Sequence, residues 1–115
     1  MKTIIAGSRD VVDWEIVHVA MLNSGFTVTE VVSGGAKGVD TLGEQWAYRC
    51  EITVKRFPAD WDKNGKAAGP IRNRQMAAYA DSLVAVWDGQ SRGTKNMIDE
   101  AKKRGLKVHI HHIAP

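Results

Sequence analysis

The stretch Val31-Val32-Ser33-Gly34-Gly35-Ala36-Lys37-Gly38-Val39-Asp40-Thr41 decides how this chain folds. A β-branched pair runs into a turn holding Gly34, Gly35 and Gly38, and an apolar stripe at helical spacing follows, Val39, Leu42, Trp46 and Ala47. That order reads as strand, tight turn, helix. Glycine permits positive φ and lets other groups approach the backbone closely. The first turn of a helix presents unpaired N–H groups at the positive end of its dipole. The stretch is therefore a fold signal and a candidate anion cradle together.

The same alternation extends in both directions. Thr3-Ile4-Ile5-Ala6 is a short strand ending at Gly7, and Asp10 or Asp13 can cap a helix whose apolar face is Ile16, Val17, Ala20 and Met21. Asn23-Ser24-Gly25 stops that helix, with Gly25 as its left-handed cap. Thr27 to Val32 forms a second strand, and Ile52 to Phe57 a third that Pro58 ends. A polar loop from Ala59 to Gly69 leads to a helix starting near Pro70, a residue suited to a first turn. Ser82 to Trp87 is the most apolar strand, and the turn from Asp88 to Arg92 opens a helix from Gly93 or Thr94 to Gly105. Lys107 to His112 closes the series as an edge strand.

Strands that are short continuous apolar runs, alternating with helices, predict an α/β fold with a mainly parallel sheet covered on both faces. Right-handed crossovers make this a single doubly wound domain over residues 1–115, with five strands in the order 3-2-1-4-5.

With 43% hydrophobic and 25% charged residues, the chain has the composition of an ordinary globular domain. No apolar run is long enough to span a bilayer, and Ile4-Ile5-Ala6 is too short for a signal peptide, so a cytoplasmic location and no membrane partner are expected. The single cysteine, Cys50, excludes an internal disulfide framework and reads as a small buried hydrophobe late in a helix. His109 and His111 share one face of the last strand but lack a third ligand, so no metal and no cofactor are expected. The net charge of +3 is uneven: residues 1–54 carry 4 Lys/Arg against 7 Asp/Glu, and residues 55–115 carry 12 against 6. That asymmetry points to an anionic partner on the C-terminal half. Lys102-Lys103-Arg104 is read apart from it, as cations suiting the last turn of a helix.

In such a sheet, ligands bind beyond the carboxyl ends of the strands where the strand order reverses, here between the first and fourth strands. Three glycine-containing turns leave that edge. They are Gly7-Ser8-Arg9, the run from Ser33 to Asp40 with Ser33, Gly34, Gly35, Lys37, Gly38 and Asp40 as candidates, and Asp88 to Thr94 with Asp88, Arg92, Gly93 and Thr94, Lys95 adding a charge nearby. Taken together they favour a phosphate-bearing, nucleotide-like ligand. Trp61, polar on both sides in sequence, reads either as a stacking face for a base or as a lid over the sheet. Arg72, Asn73 and Arg74 open the third helix, where arginines suit a phosphate or carboxylate fork or an ordinary solvated turn.

Four motifs, Gly7-Ser8-Arg9, Ser33 to Asp40, Gly69-Pro70-Ile71-Arg72-Asn73-Arg74-Gln75-Met76, and Ala80 to Trp87, together resemble the SLOG superfamily over nearly the whole chain, particularly its small stand-alone members from bacteria and phages. The resemblance implies a Rossmann-like fold binding nucleotides or nucleotide-derived molecules. Ser33 to Asp40 is similar to the glycine-rich turn of the DNA-processing protein that loads recombinase onto single strands. Arg72 to Met76, with Gly93-Thr94, is similar to the cytokinin-activating phosphoribohydrolases. Those hydrolases carry a glutamate on the first turn of the helix after their second glycine-rich turn, whereas this chain reads Lys95-Asn96-Met97, with Asp99 and Glu100 a turn later.

The expected function is therefore binding of a nucleotide-derived ligand, with sensing or sequestration of a signal in bacteria–phage conflict as the role the resemblance implies. Two alternatives stay open. One is a phosphoribohydrolase cleaving the N-glycosidic bond of nucleoside monophosphates, with Asp40 and Arg74 as catalytic candidates; Asp40 equally suits a ribose hydroxyl or a helix cap. The other is single-stranded nucleic-acid binding, disfavoured because aromatic residues do not interleave the basic ones. The exposed edge and the tryptophans suggest a homodimer or higher homo-oligomer.

Overall fold

Five strands, β1 (Lys2–Gly7), β2 (Glu30–Ser33), β3 (Thr53–Arg56), β4 (Ser82–Trp87) and β5 (Lys107–His112), pair in parallel in the spatial order β3-β2-β1-β4-β5. The computed structural model describes residues 1–115. Five helices connect the strands: α1 (Trp14–Ser24), α2 (Val39–Arg49), the single turn α3 (Trp61–Asn64), α4 (Ala68–Tyr79) and α5 (Arg92–Lys103).

Successive side chains of β1 point to opposite faces. Ile5 joins Val17, Ala20, Met21, Leu42 and Trp46 in a cluster under α1 and α2. Its neighbour Ile4 joins Met76, Ala77, Met97 and Ile98 in a second cluster under α4 and α5. Both faces of the central strands are thus covered, which is why Ser82-Leu83-Val84-Ala85-Val86 lies wholly buried. At the edges β3 is exposed throughout, and β5 is exposed or half-buried. No helix is long and apolar enough to cross a membrane.

The predicted sheet order, the parallel pairing and the left-handed Gly25 cap, at φ 69°, all match the observed fold. Asp13 caps α1 by accepting from Glu15 N, and Asp10 does not. Several boundaries differ. The second strand begins at Glu30 rather than Thr27, because Thr27 and Thr29 bond the chain start instead: Met1 N donates to Thr27 O at 2.7 Å, and Thr29 N to Met1 O at 2.9 Å. Within the expected polar loop, Asp60 accepts from Lys63 N at 3.1 Å and nucleates α3. A 3₁₀ turn, Gly65–Ala67, carries the chain straight into α4, whose first turn holds Pro70. Cys50 is exposed, contrary to expectation. Its spacing continues the buried stripe of Trp46 and Ala47, but α2 has already ended at Arg49 and Cys50 only caps it.

Candidate functional site

The turns after β1 and β2 form one unit. Val39 N donates to Ser8 O at 3.3 Å, and Ser8 N extends the sheet ladder by donating to Val86 O at 3.2 Å. Gly38 sits where these loops touch. Its φ is 77°, and a Cβ there would lie 2.4 Å from Ser8 O and 2.6 Å from the Arg9 backbone, so only glycine fits.

Side chains brace the glycine turn from behind. Ser33 Oγ donates to Glu44 Oε2 at 2.6 Å and accepts from Gly35 N at 3.0 Å. Glu44 Oε1 in turn receives Arg56 Nε at 2.9 Å and Nη2 at 2.5 Å. Asp40 Oδ2 accepts from Ala36 N at 3.2 Å, and Thr41 Oγ1 donates to Ala36 O at 2.8 Å. The N–H groups of Gly35 and Ala36 are thereby spent inside the protein, whereas those of Gly34 and Lys37 have no protein acceptor. Beyond β4, Asp88 Oδ1 accepts from Gln90 N and Ser91 N, both at 2.8 Å, and these bonds hold its carboxyl below the usual range. Ser91 then caps α5, leaving the first-turn amides of Arg92 and Gly93 without acceptors.

Two adjoining hollows open over these turns. The inner one, about 380 Å³, lies between the end of β1, α4 and α5. Ala6, Met76 and Met97 supply its buried apolar lining; Asp40, Arg72, Asn73 and Asn96 supply polar walls. Arg9, Arg92 and Trp61 stand at its exposed rim, Trp61 being 51% exposed. The outer hollow, about 830 Å³, is lined by Gly34, Gly35, Ala36, Lys37 and Arg56. Arg9, Ala36, Trp61 and Arg72 line both, so the two communicate.

Arg72 ties the walls together. Its Nη1 donates to Gly34 O at 2.7 Å, and its Nε donates to Asn73 Oδ1 at 3.0 Å. Asn73 Nδ2 passes the chain on to Asn96 Oδ1 at 2.8 Å and touches Gly93 O at 3.4 Å. One run of hydrogen bonds thus links α5, α4 and the glycine turn. Burial lowers the Arg72 pKa, while the neighbouring Asp40 carboxylate opposes that effect. Asp40 itself, only 6% exposed, is pushed up to about 6. Burial is the main cause, aided by Glu44 and resisted by the Ala36 N–H, Arg72 and Arg9. Beside a desolvated guanidinium the pocket therefore holds a carboxyl group that is largely ionised at neutral pH and takes up a proton as pH falls through about 6.

Of the residues singled out from sequence, Gly7, Arg9, Asp40, Trp61, Arg72, Asn73, Arg92, Gly93 and Thr94 line the inner hollow. Gly34, Gly35 and Lys37 line the outer one. The others stand apart. Ser33 lies behind the turn as its brace, and Gly38 is a packing point between loops. Asp88 shapes the turn before α5. Ser8 is buried, its Oγ without a partner in hydrogen-bonding geometry yet near enough to the Asp88 carboxylate to favour its charge. Arg74 is exposed on the far side of α4 from Arg72, and Lys95 pairs with Asp99 at 2.8 Å on the surface. Sequence reasoning missed Met76, Asn96 and Met97 as cavity lining, although Met76 and Met97 fall at core spacing on their helices. Asn96 stands three residues after Gly93. The chain places no group of three or more His, Cys, Asp or Glu side chains where they would hold a metal ion.

Comparison with known proteins agrees with this architecture. The Gene 61 protein of Mycobacterium phage D29 is 34% identical over 117 residues, covering 93% of each chain. In three dimensions the fold is similar to DNA processing protein A (DprA) from Streptococcus pneumoniae, with a TM-score of 0.75 at 19% identity over 95% of this chain. That match covers 49% of DprA, so this chain spans about half the length of that protein. The model of the family described as YAcAr (YspA, cpYpsA-related SLOG) matches residues 1–64, from β1 through the glycine turn to α3. A parallel sheet in the order 3-2-1-4-5, a glycine turn packed against the loop after β1 and a family match over more than half its length place this chain in the YspA, cpYpsA-related SLOG family.

Proposed function

We propose that this protein binds a nucleotide or nucleotide-derived ligand in the paired hollows, with anionic oxygens over the glycine turn and the ring system in the inner cavity. Family membership and the DprA-like fold support a nucleotide- or DNA-related role at this level. The observation that carries the finer reading is the shared wall of the two hollows: Arg9 and Arg72 face both, between the free amides of Gly34 and Lys37 and those of Arg92 and Gly93. Free amides at helix starts with guanidinium groups beside them suit phosphate oxygens. An apolar recess with a few polar groups suits a heterocycle, and a cavity of about 380 Å³ falls in the range of small-molecule sites. Sensing or sequestering a nucleotide signal in bacteria–phage conflict is the role in which such a binder fits, and the phage relative is consistent with it.

One observation favours a second reading, N-glycosidic hydrolysis. Asp40 lines the cavity as a carboxyl able to give or take a proton near pH 6. Against it, the first turn of α5, where the resemblance places the hydrolase glutamate, holds no acid and carries Lys95 instead. A thermal-shift panel of AMP, ADP-ribose and cyclic nucleotides, with chromatography for released base, tests both. Binding alone adds about 2.7 kcal/mol of stability at a hundred times the dissociation constant. The binding reading predicts stabilisation with the nucleotide recovered intact. Stabilisation by none of the panel would refute it, and free base at enzymatic rates would install the hydrolase in its place.

A further inference from the structure

We propose that Asn96 is the residue that selects the ring end of the ligand, donating a hydrogen bond from Nδ2 to an acceptor on the edge of a heterocycle. This inference rests on the nucleotide-binding reading above and adds to it a specificity-determining side chain.

Hydrogen-bond polarity carries the argument. An arginine Nε donates and never accepts. Arg72 Nε lies 3.0 Å from the Asn73 amide, so the Asn73 oxygen must face it. Asn73 Nδ2 therefore points the other way, where Gly93 O at 3.4 Å accepts and confirms the orientation. The Asn96 atom 2.8 Å from Asn73 Nδ2 must then be its oxygen. Both ends of Asn73 are occupied, and Asn96 Nδ2 is left as a donor with no acceptor in the protein, on a side chain that lines the inner cavity. The orientation is relayed from the Gly34 carbonyl, which fixes Arg72 at the head of the chain.

Asn96 is tied through Asn73 and Arg72 to the glycine turn by this chain of bonds, and its sequence neighbour Met97 forms part of the buried apolar lining. A ring seated against Met76 and Met97 meets the Asn96 amide in its own wall. The ligand class this fits is a heterocycle with unprotonated ring nitrogens or a carbonyl on its edge, joined to a phosphate-bearing sugar. Asp40 is the one acidic side chain of this cavity wall.

Titration calorimetry with AMP and with ribose 5-phosphate on the wild type, Asn96→Asp and Asn96→Ser tests the assignment. Aspartate keeps an oxygen for Asn73 Nδ2 but has no N–H to give, so the bracing chain survives and only the outward donor is lost. Asn96→Asp is expected to weaken AMP at least tenfold and to weaken ribose 5-phosphate no more than inorganic phosphate, a third probe that reports the added negative charge alone. Asn96→Ser, with a shorter donor and no added charge, is expected to weaken AMP and leave ribose 5-phosphate within twofold of wild type. Equal AMP affinity in all three proteins would overturn the role of Asn96 while leaving nucleotide binding intact. Equal losses for AMP and ribose 5-phosphate in the serine variant would reduce Asn96 to a structural brace. Absence of AMP and ribose 5-phosphate binding to the wild type would overturn the reading on which the inference rests, and the inference with it.

Discussion

Arg72 lies across Gly34: its Nη1 is 2.7 Å from the Gly34 carbonyl oxygen and 2.4 Å from where a Cβ on that residue would stand. The absence of a side chain at Gly34 is thus what lets a helix on one side of the cavity grip the turn on the other. Gly38 is glycine for a different reason, since its missing Cβ would strike backbone atoms of Ser8 and Arg9 at positive φ.

These two glycines should respond differently to alanine. At Gly34 the obstacles are the ends of two side chains, the Arg72 guanidinium and Asp40 Oδ2 at 2.8 Å, and the arginine can move aside without shifting backbone. Gly34→Ala is expected to cost under about 1 kcal/mol of stability in urea unfolding yet to weaken AMP at least tenfold by displacing Arg72. Gly38→Ala is expected to cost about 2 kcal/mol or more, because backbone cannot yield and φ is wrong for alanine. Equal stability losses would show that the close approach at Gly34 is not relieved by Arg72.

Asp40 makes stability depend on pH in a stated direction. Its folded-state pKa of about 6 exceeds the reference value of 3.8, so between these values the folded form binds more protons than the unfolded. Stability from this group is therefore full below the lower value and is lost as pH rises through the higher. Asp40→Asn is expected to gain up to about 3 kcal/mol at pH 7.5 and nothing at pH 3.5, measured by urea unfolding across that range. A variant less stable than wild type at pH 7.5 would mean that the hydrogen bond from Ala36 N and the attraction of the Arg72 charge outweigh desolvation.

The two arginines of α4 separate a wall residue from a surface one. Arg72→Ala is expected to weaken AMP by tenfold or more, whereas Arg74→Ala leaves it within twofold, because Arg74 is exposed and lines neither hollow. Loss of binding in both variants would extend the site over the outer face of α4.

Trp61 is held by α3 at the rim, with its ring edge 3.5 Å from where a Cβ on Gly69 would stand. Trp61→Ala is expected to change the melting temperature little and to weaken AMP about tenfold, stacking on a base being worth on the order of 1–3 kcal/mol. A destabilised variant with unchanged affinity would make Trp61 a lid over the sheet instead.

The sheet was legible in the sequence because its central strands β1, β2 and β4 are largely apolar runs and the strand-to-helix junctions are marked by Gly7, the Gly34–Gly38 run and Gly93 at the start of α5. Those signals are local, and the strand order follows from them through crossover handedness alone. What eluded the pattern was set by contacts between distant segments. Arg72 and Arg74 are indistinguishable as sequence, both on the first turns of one helix, yet Arg72 is half-buried against Gly34, 38 residues away, and Arg74 faces solvent. Asn96 carried no signal by itself, since its importance comes from Asn73, 23 residues earlier. Asp60, Trp61 and Asp62 looked like loop because a single capped helical turn is too short for periodicity to show.

The most direct test of the central claim is amide NMR of the isotopically labelled protein titrated with AMP. The free amides of Gly34, Lys37, Arg92 and Gly93 are expected to shift together with one saturation curve, along with the Asn96 side-chain amide. Unchanged signals at these positions, with shifts confined to the exposed strand β3 or to the histidines of β5, would contradict it.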